Sequence, residues 1–129
     1  MTGLHYLATP YSDYPGGLDV AARDAARVAA LLTARRMKVF SPIVHSHPLC
    51  AGGDLDPLAH DFWLEIDEAF MARCDALIVV KMRGWTESRG VAREIAFFDA
   101  IAKPLRSLAV TYASDRIGAE ILAAGSVAG

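Results

Sequence analysis

The feature that most constrains this chain is the run DALIVVK at residues 75–81, where five consecutive apolar side chains stand between an aspartate and a lysine. A half-exposed strand alternates apolar with polar residues. An unbroken aliphatic run rich in β-branched side chains fits a strand buried on both faces, as at the centre of a parallel sheet. Such a strand requires others to pair with it and helices to cover it. With 129 residues, 53% of them hydrophobic, the chain has room for one core and one domain, taken as residues 1–129.

The rest of the sequence supplies those partners. Residues 4–9 (LHYLAT) are short, apolar and stopped by Pro10, which predicts a first buried strand. Residues 18–36 repeat apolar side chains at Val20, Ala21, Ala25, Val28, Leu31 and Leu32, the stripe of a covering helix. Residues 37–41 predict a second strand with Pro42 at its exit. Residues 43–57 are broken by proline and glycine, so they are expected to form a long binding loop rather than a regular element.

Residues 58–73 carry Phe62, Ile66, Ala69 and Phe70 on one helical stripe. Residues 88–102 repeat Val91, Ile95 and Phe98 in the same way, and residues 105–110 predict a fourth strand. Residues 114–124, with Ile117, Ile121 and Leu122, predict a last helix. Alternating strands and helices predict an α/β fold: a three-layer, flavodoxin- or Rossmann-like sandwich with a parallel sheet of about four strands in the order 2-1-3-4. Residues 6–10 and 81–88 then line the crevice at the carboxyl edge of the sheet, where such folds bind ligands.

A formal net charge of −2 leaves no footprint for a nucleic-acid polymer. Two cysteines do not frame a disulfide-rich secreted domain, and no apolar stretch is long enough to span a membrane. The expected setting is the cytoplasm.

Chemistry is expected at the two ends of the central strand. Asp67 comes late in the second helix and Glu94 early in the third. Paired carboxylates are the equipment for displacement at a sugar carbon, one attacking while the other manages the leaving group's proton; two solvated helix carboxylates would look the same in sequence. Ser88 can cap the third helix, and Gly90 lets a ligand approach first-turn N–H groups that favour an anion. Arg83 and Arg89 suit phosphate or solvent. His45, His47, Cys50, Asp54, Asp56 and His60 match no standard zinc spacing, so no metal is expected. Trp85 stands in a loop where it could stack on a flat base, and Tyr6 and Tyr11 suit core or pocket equally.

Taken together, YLATPYS at residues 6–12, FSPIVHSHP at residues 40–48, Asp67 ahead of the Cys74–Asp75 pair, and W-x-x-S-x-G-V-x-x-E at residues 85–94 resemble the nucleoside 2-deoxyribosyltransferase superfamily and its nucleotide N-glycosidase relatives. The resemblance extends over residues 6–100. It implies cleavage or transfer of the N-glycosidic bond of a (deoxy)nucleoside or its 5′-monophosphate, without a cofactor. By the same resemblance, Glu94 is the nucleophile, Asp67 protonates the leaving base and Tyr6 holds Glu94. Ser88 and Gly90 face the 5′ end of the substrate, and Thr9 and Pro10 lie near the sugar; read from the residues themselves, Tyr11, His45 and Trp85 are expected to complete the substrate site as wall and stacking groups. A homo-oligomer is implied as well. In detail the chain resembles a small branch of that superfamily with the pattern YLA-x-PYS, FSPI-x-HSHP and W-x-x-S-x-G-V-x-x-E; Thr9 and Pro10 depart from the small-residue turn of other members, and the HSHP segment has no counterpart in the characterised enzymes. The rival expectation is a non-catalytic module that binds or senses a nucleotide or nucleotide-sugar.

Overall fold

The computed structural model describes residues 3–114 and 116–120. Four strands, β1 (Leu4–Ala8), β2 (Lys38–Phe40), β3 (Ala76–Val80) and β4 (Leu105–Leu108), form a parallel sheet in the order β2-β1-β3-β4. This is the expected order. β1 pairs with β3 through Tyr6 opposite Leu77 and Ala8 opposite Val79, which brings the carboxyl ends of the two strands side by side.

Pleating distributes the apolar run to both faces. Leu7, Ile78 and Val80 pack with Ala21, Val28 and Leu32 of helix α1 (Leu18–Ala34), whose small buried alanines let it lie close to the sheet. Tyr6, Ala8, Leu77 and Val79 pack on the opposite face with Met71 of α3 (His60–Met71) and Val91 and Phe98 of α4 (Arg89–Ala100). The result is a three-layer sandwich.

Two expectations are corrected. Most of the segment 43–57 is not a loop: Pro42–Gly53 form a helix, α2, and only residues 54–57 of it stay irregular. Ser41 caps it by accepting from the Val44 N–H at 3.2 Å, and Pro42 occupies the first helical turn, where its missing N–H costs nothing. Pro48 forgoes the helical bond to the Val44 carbonyl, and Val44 and Pro48 both lie on the exposed side of the helix. Asp54, left-handed at φ 56°, ends the helix.

The predicted final helix is also absent where its residues are described. Val110–Ala113 (β5) and Arg116–Ala119 (β6) pair as an antiparallel hairpin, with Ser114 at φ 56° in the turn; Ile121 and Leu122 lie outside the described residues. Ile117 packs toward α1 from a strand rather than from a helix. Among the described residues no helix is long and apolar enough to cross a membrane.

A chain of hydroxyls docks this hairpin. The Tyr14 hydroxyl donates to Asp24 Oδ2 at 2.7 Å, so its lone pair accepts from the Tyr112 hydroxyl at 2.8 Å. Tyr112 in turn accepts the Arg83 N–H at 2.9 Å. The Arg83 guanidinium lies 3.9 Å from the centre of the Tyr112 ring. Asp24 is buried on α1, and Arg23 satisfies its other oxygen at 3.2 Å. Tyr14→Phe is expected to lower the unfolding free energy by about 1–3 kcal/mol in urea titration, because it strips a buried carboxylate of its donor; an unchanged midpoint would mean that the chain carries no stability.

Candidate active site

A cavity of about 620 Å³ opens at the carboxyl ends of β1 and β3. Its walls come from the segment after β1 (Thr9, Pro10, Tyr11), from α2 (Ile43, Ser46), from α3 (Trp63, Asp67), from the turn after β3 (Arg83, Gly84) and from the start of α4 (Ser88, Gly90, Arg93, Glu94).

α4 begins where it does because the Ser88 side chain accepts from the Val91 N–H at 3.2 Å. One turn further in, Glu94 falls on the inner face and is buried, unusually for a carboxylate, at 8% exposure. Asp67 reaches the same cavity from the last turns of α3, and its Oδ1 is buried without a hydrogen bond. Tyr6, fully buried on β1, stands beneath them, and its hydroxyl is also without an aligned partner.

These groups shape one another's acidity. Burial pushes Asp67 up to about 6. Burial raises Glu94 well above the usual carboxylate range, the nearby Tyr6 hydroxyl opposes that rise, and the Asp67 charge adds to it. Tyr6 is raised by burial and then by both carboxylates, so its phenol keeps its proton. Tyr6 and Glu94 are therefore close enough to interact, yet the hydroxyl is not aligned for a hydrogen bond. Two interacting carboxyls in one cavity release their protons in two steps that belong to the pair.

The other expected site residues divide. Thr9, Pro10, Tyr11, Ser88 and Gly90 line the cavity. The Thr9 hydroxyl is buried and unpaired. A methyl added at Gly90 would meet only the Ser88 hydroxyl, at 3.9 Å, so packing within the protein does not demand glycine there and its bareness leaves room in the cavity.

His45 and Trp85 are not among the lining residues. His45 lies against Phe40 and Phe70, with ring centres 5.6 and 5.3 Å away, and Trp85 packs on the core beneath α4. The reason for His45 is helical geometry: once residues 42–53 coil, Ile43 and Ser46 share the cavity side and His45 turns away from it. Ser46, Arg93 and the Trp63 wall were not singled out as substrate contacts by sequence reasoning. The three-residue spacing of Ile43 and Ser46 was the available signal, hidden by the prolines around it. Among the described residues no three of His, Cys, Asp and Glu gather into a group that could hold a metal ion.

Residues 3–109 match the family described as a domain of unknown function, DUF1937. The chain belongs to that family. No curated protein matches this DUF1937 member. Among solved structures, it is similar to a 2-desoxiribosyltransferase from Leishmania mexicana, with 18% sequence identity and a TM-score of 0.52 over 99% of this chain and 79% of the other. At that identity the likeness is one of fold: the DUF1937 chain has the nucleoside 2-deoxyribosyltransferase-like α/β architecture.

The buried carboxyls have a measurable consequence. Because folding raises Asp67 from 3.8 to about 6, the native state holds a proton that the unfolded chain has released, and stability falls as pH rises through that window. Asp67→Asn removes the penalty. Above pH 6 it is expected to be more stable than the parent by on the order of 1–3 kcal/mol, the difference narrowing below about pH 4 in denaturation curves. A pH-independent difference would contradict the burial of Asp67.

Proposed function

We propose that this protein breaks, and with a second base transfers, the N-glycosidic bond of a nucleoside or nucleoside 5′-monophosphate by retaining displacement. The observation that carries the reading is the joint burial of Asp67 and Glu94, both raised in pKa, over Tyr6 in one cavity of small-molecule size. The fold shared with a 2-desoxiribosyltransferase agrees with it.

The chemistry runs with one proton on the pair. At rest burial favours the proton on Glu94 more strongly than on Asp67, and the Tyr6 hydroxyl is the one neighbour that works toward an ionised Glu94, so the reaction needs the proton moved to Asp67 and Tyr6 aligned on Glu94. A Glu94 carboxylate oxygen attacks the anomeric carbon while the carbon–nitrogen bond breaks, its electron pair leaving with the base. Asp67 gives that nitrogen its proton. Positive charge building on the sugar is stabilised by the Glu94 carboxylate as it closes on the anomeric carbon. In the second half, water attacks the anomeric carbon of the ester, Asp67 takes its proton, and the Glu94 oxygen departs as carboxylate. For transfer, a nitrogen base takes the place of water and its proton goes to Asp67.

Substrate placement follows from the walls. Trp63 and the Tyr11 segment offer apolar surface to the base and sugar, and Thr9 offers an unpaired hydroxyl to a substrate polar group. The start of α4, with Ser88, Gly90 and Arg89, suits the 5′ end, where first-turn N–H groups favour an anion. A purely nucleotide-binding module would use the same helix start, but it gives no reason to set two carboxyls with raised pKa in the same cavity.

Purified protein incubated with a panel of nucleosides and 5′-monophosphates is expected to release free base, separated by chromatography. Glu94→Gln, which keeps shape and removes the nucleophile, is expected to lower kcat by roughly 10³-fold or more. Ligand-induced rise in Tm with no base release from any member of the panel would establish the binding module instead.

A further inference from the structure

The HSHP segment has a role that the carboxylate pair does not explain. His47, the second histidine of that segment, lies on α2 with its side chain 25% exposed. Its Nδ1 is 2.7 Å from the Tyr11 hydroxyl, and its Nε2 is 2.7 Å from Asp19 Oδ1. The Tyr11 and His47 rings meet edge to face at 86°, with centres 5.8 Å apart. Asp19 belongs to the first turn of α1, while Tyr11 sits in the segment after β1 and lines the cavity. One imidazole thus joins three separate parts of the chain.

We propose that His47 is a positioning residue: oriented by Asp19, it holds Tyr11 as a fixed wall of the substrate cavity. The proposal rests on the reading above for what the cavity binds, and it gives the HSHP segment a role distinct from the chemistry at Glu94.

The donors and acceptors allow one arrangement for a neutral ring. An ionised Asp19 only accepts, so Nε2 carries the hydrogen. The lone pair then sits on Nδ1, which accepts the Tyr11 hydroxyl proton. Burial, followed by smaller contributions from Cys50 and Asp19, raises the Tyr11 phenol to about 12, so the proton to be donated is present at neutral pH. The Asp19 side chain is 96% exposed, and water screens its charge. Asp19 therefore acts by direction rather than by attraction, and an amide oxygen at the same place would serve as well.

Residues 10–17 connect β1 to α1 without regular structure, and the connection ends on Gly16 and Gly17, both at positive φ (95° and 97°). Tyr14 fastens the middle of this segment to Asp24 and Tyr112, and His47 fastens the Tyr11 side chain itself. A wall side chain left untethered has to be ordered each time a ligand binds, which weakens binding without touching the reacting atoms. Loss of the relay should therefore appear in KM and leave kcat alone.

His47→Phe keeps an aromatic edge against Tyr11 and removes both hydrogen bonds, whereas Tyr11→Phe keeps the wall and removes the hydroxyl. With a nucleoside whose base the parent protein releases, each is expected to raise KM about five- to tenfold while kcat stays within about twofold. The double variant should be no worse than either single one. Asp19→Asn should behave as the parent and Asp19→Ala as His47→Phe. Independently of activity, NMR of the parent and of Asp19→Asn should show a slowly exchanging Tyr11 hydroxyl proton coupled to His47 Nδ1. Amides of residues 10–17 should exchange faster in His47→Phe. Additive KM effects, a fall in kcat at constant KM, or unchanged exchange and no coupled proton would each overturn the proposal. A parent protein that releases no base from any nucleoside would sink the glycosidic reading, and the NMR and exchange results would then decide the relay by themselves.

Discussion

The parallel pairing of β1 with β3 is the constraint on which the molecule depends. Both strands are buried on both faces, so their registers are set by side chains that must reach α1 on one side and α3 and α4 on the other. A slip by one residue would move Tyr6 from the face it shares with Phe98 to the face of α1. Correct pairing also brings the ends of the two strands together, and every wall of the cavity is carried by a segment that leaves or enters one of them or packs against them. The sheet does no chemistry, but it sets where Asp67 and Glu94 meet.

The site combines two costs that the rest of the fold keeps apart. Asp24 is paired with Tyr14 and Arg23, and Lys103 donates to the Ala72 and Cys74 carbonyls at 2.8 and 2.7 Å, whereas His5 Nδ1, Arg27 Nε, His45 Nδ1 and Arg106 Nε are single buried nitrogens without a hydrogen bond. In the cavity the Tyr6 hydroxyl, the Thr9 hydroxyl and one oxygen of Asp67 go without partners, and Glu94 is buried beside a second carboxyl. Unpaired buried polar atoms and carboxyls with raised pKa lower stability, and among the described residues the two coincide at the end of the sheet. That concentration of unmet hydrogen bonding at one place is what a site for a polar substrate requires.

Much of this was legible in the sequence, for physical reasons that can be named. The β3 run and the alternation of strands with helices left few topologies open, and the sheet order followed from the handedness of crossovers. What escaped notice depended on local compensation. Pro42 and Pro48 read as helix breakers, yet one sits in the first turn and the other on the exposed side, so α2 forms around them. The hairpin after β4 was hidden because Ile117 fits a helical stripe as readily as a strand face, and the turn rests on a non-glycine residue, Ser114, at positive φ. Misreading α2 as a loop also sent His45 toward the cavity, when the helix turns it onto Phe40 and Phe70. The link from Tyr11 through His47 to Asp19 spans 36 positions at one step and 28 at the other, and no local pattern records it.

The central claim is that Glu94 becomes covalently joined to the sugar. Its most direct test is mass spectrometry of protein quenched in acid during turnover of a nucleoside whose base it releases. The intact chain should gain the mass of the sugar residue, and peptide mapping should place the addition on Glu94. An adduct on another residue, or a released sugar whose anomeric configuration is inverted, would contradict the account.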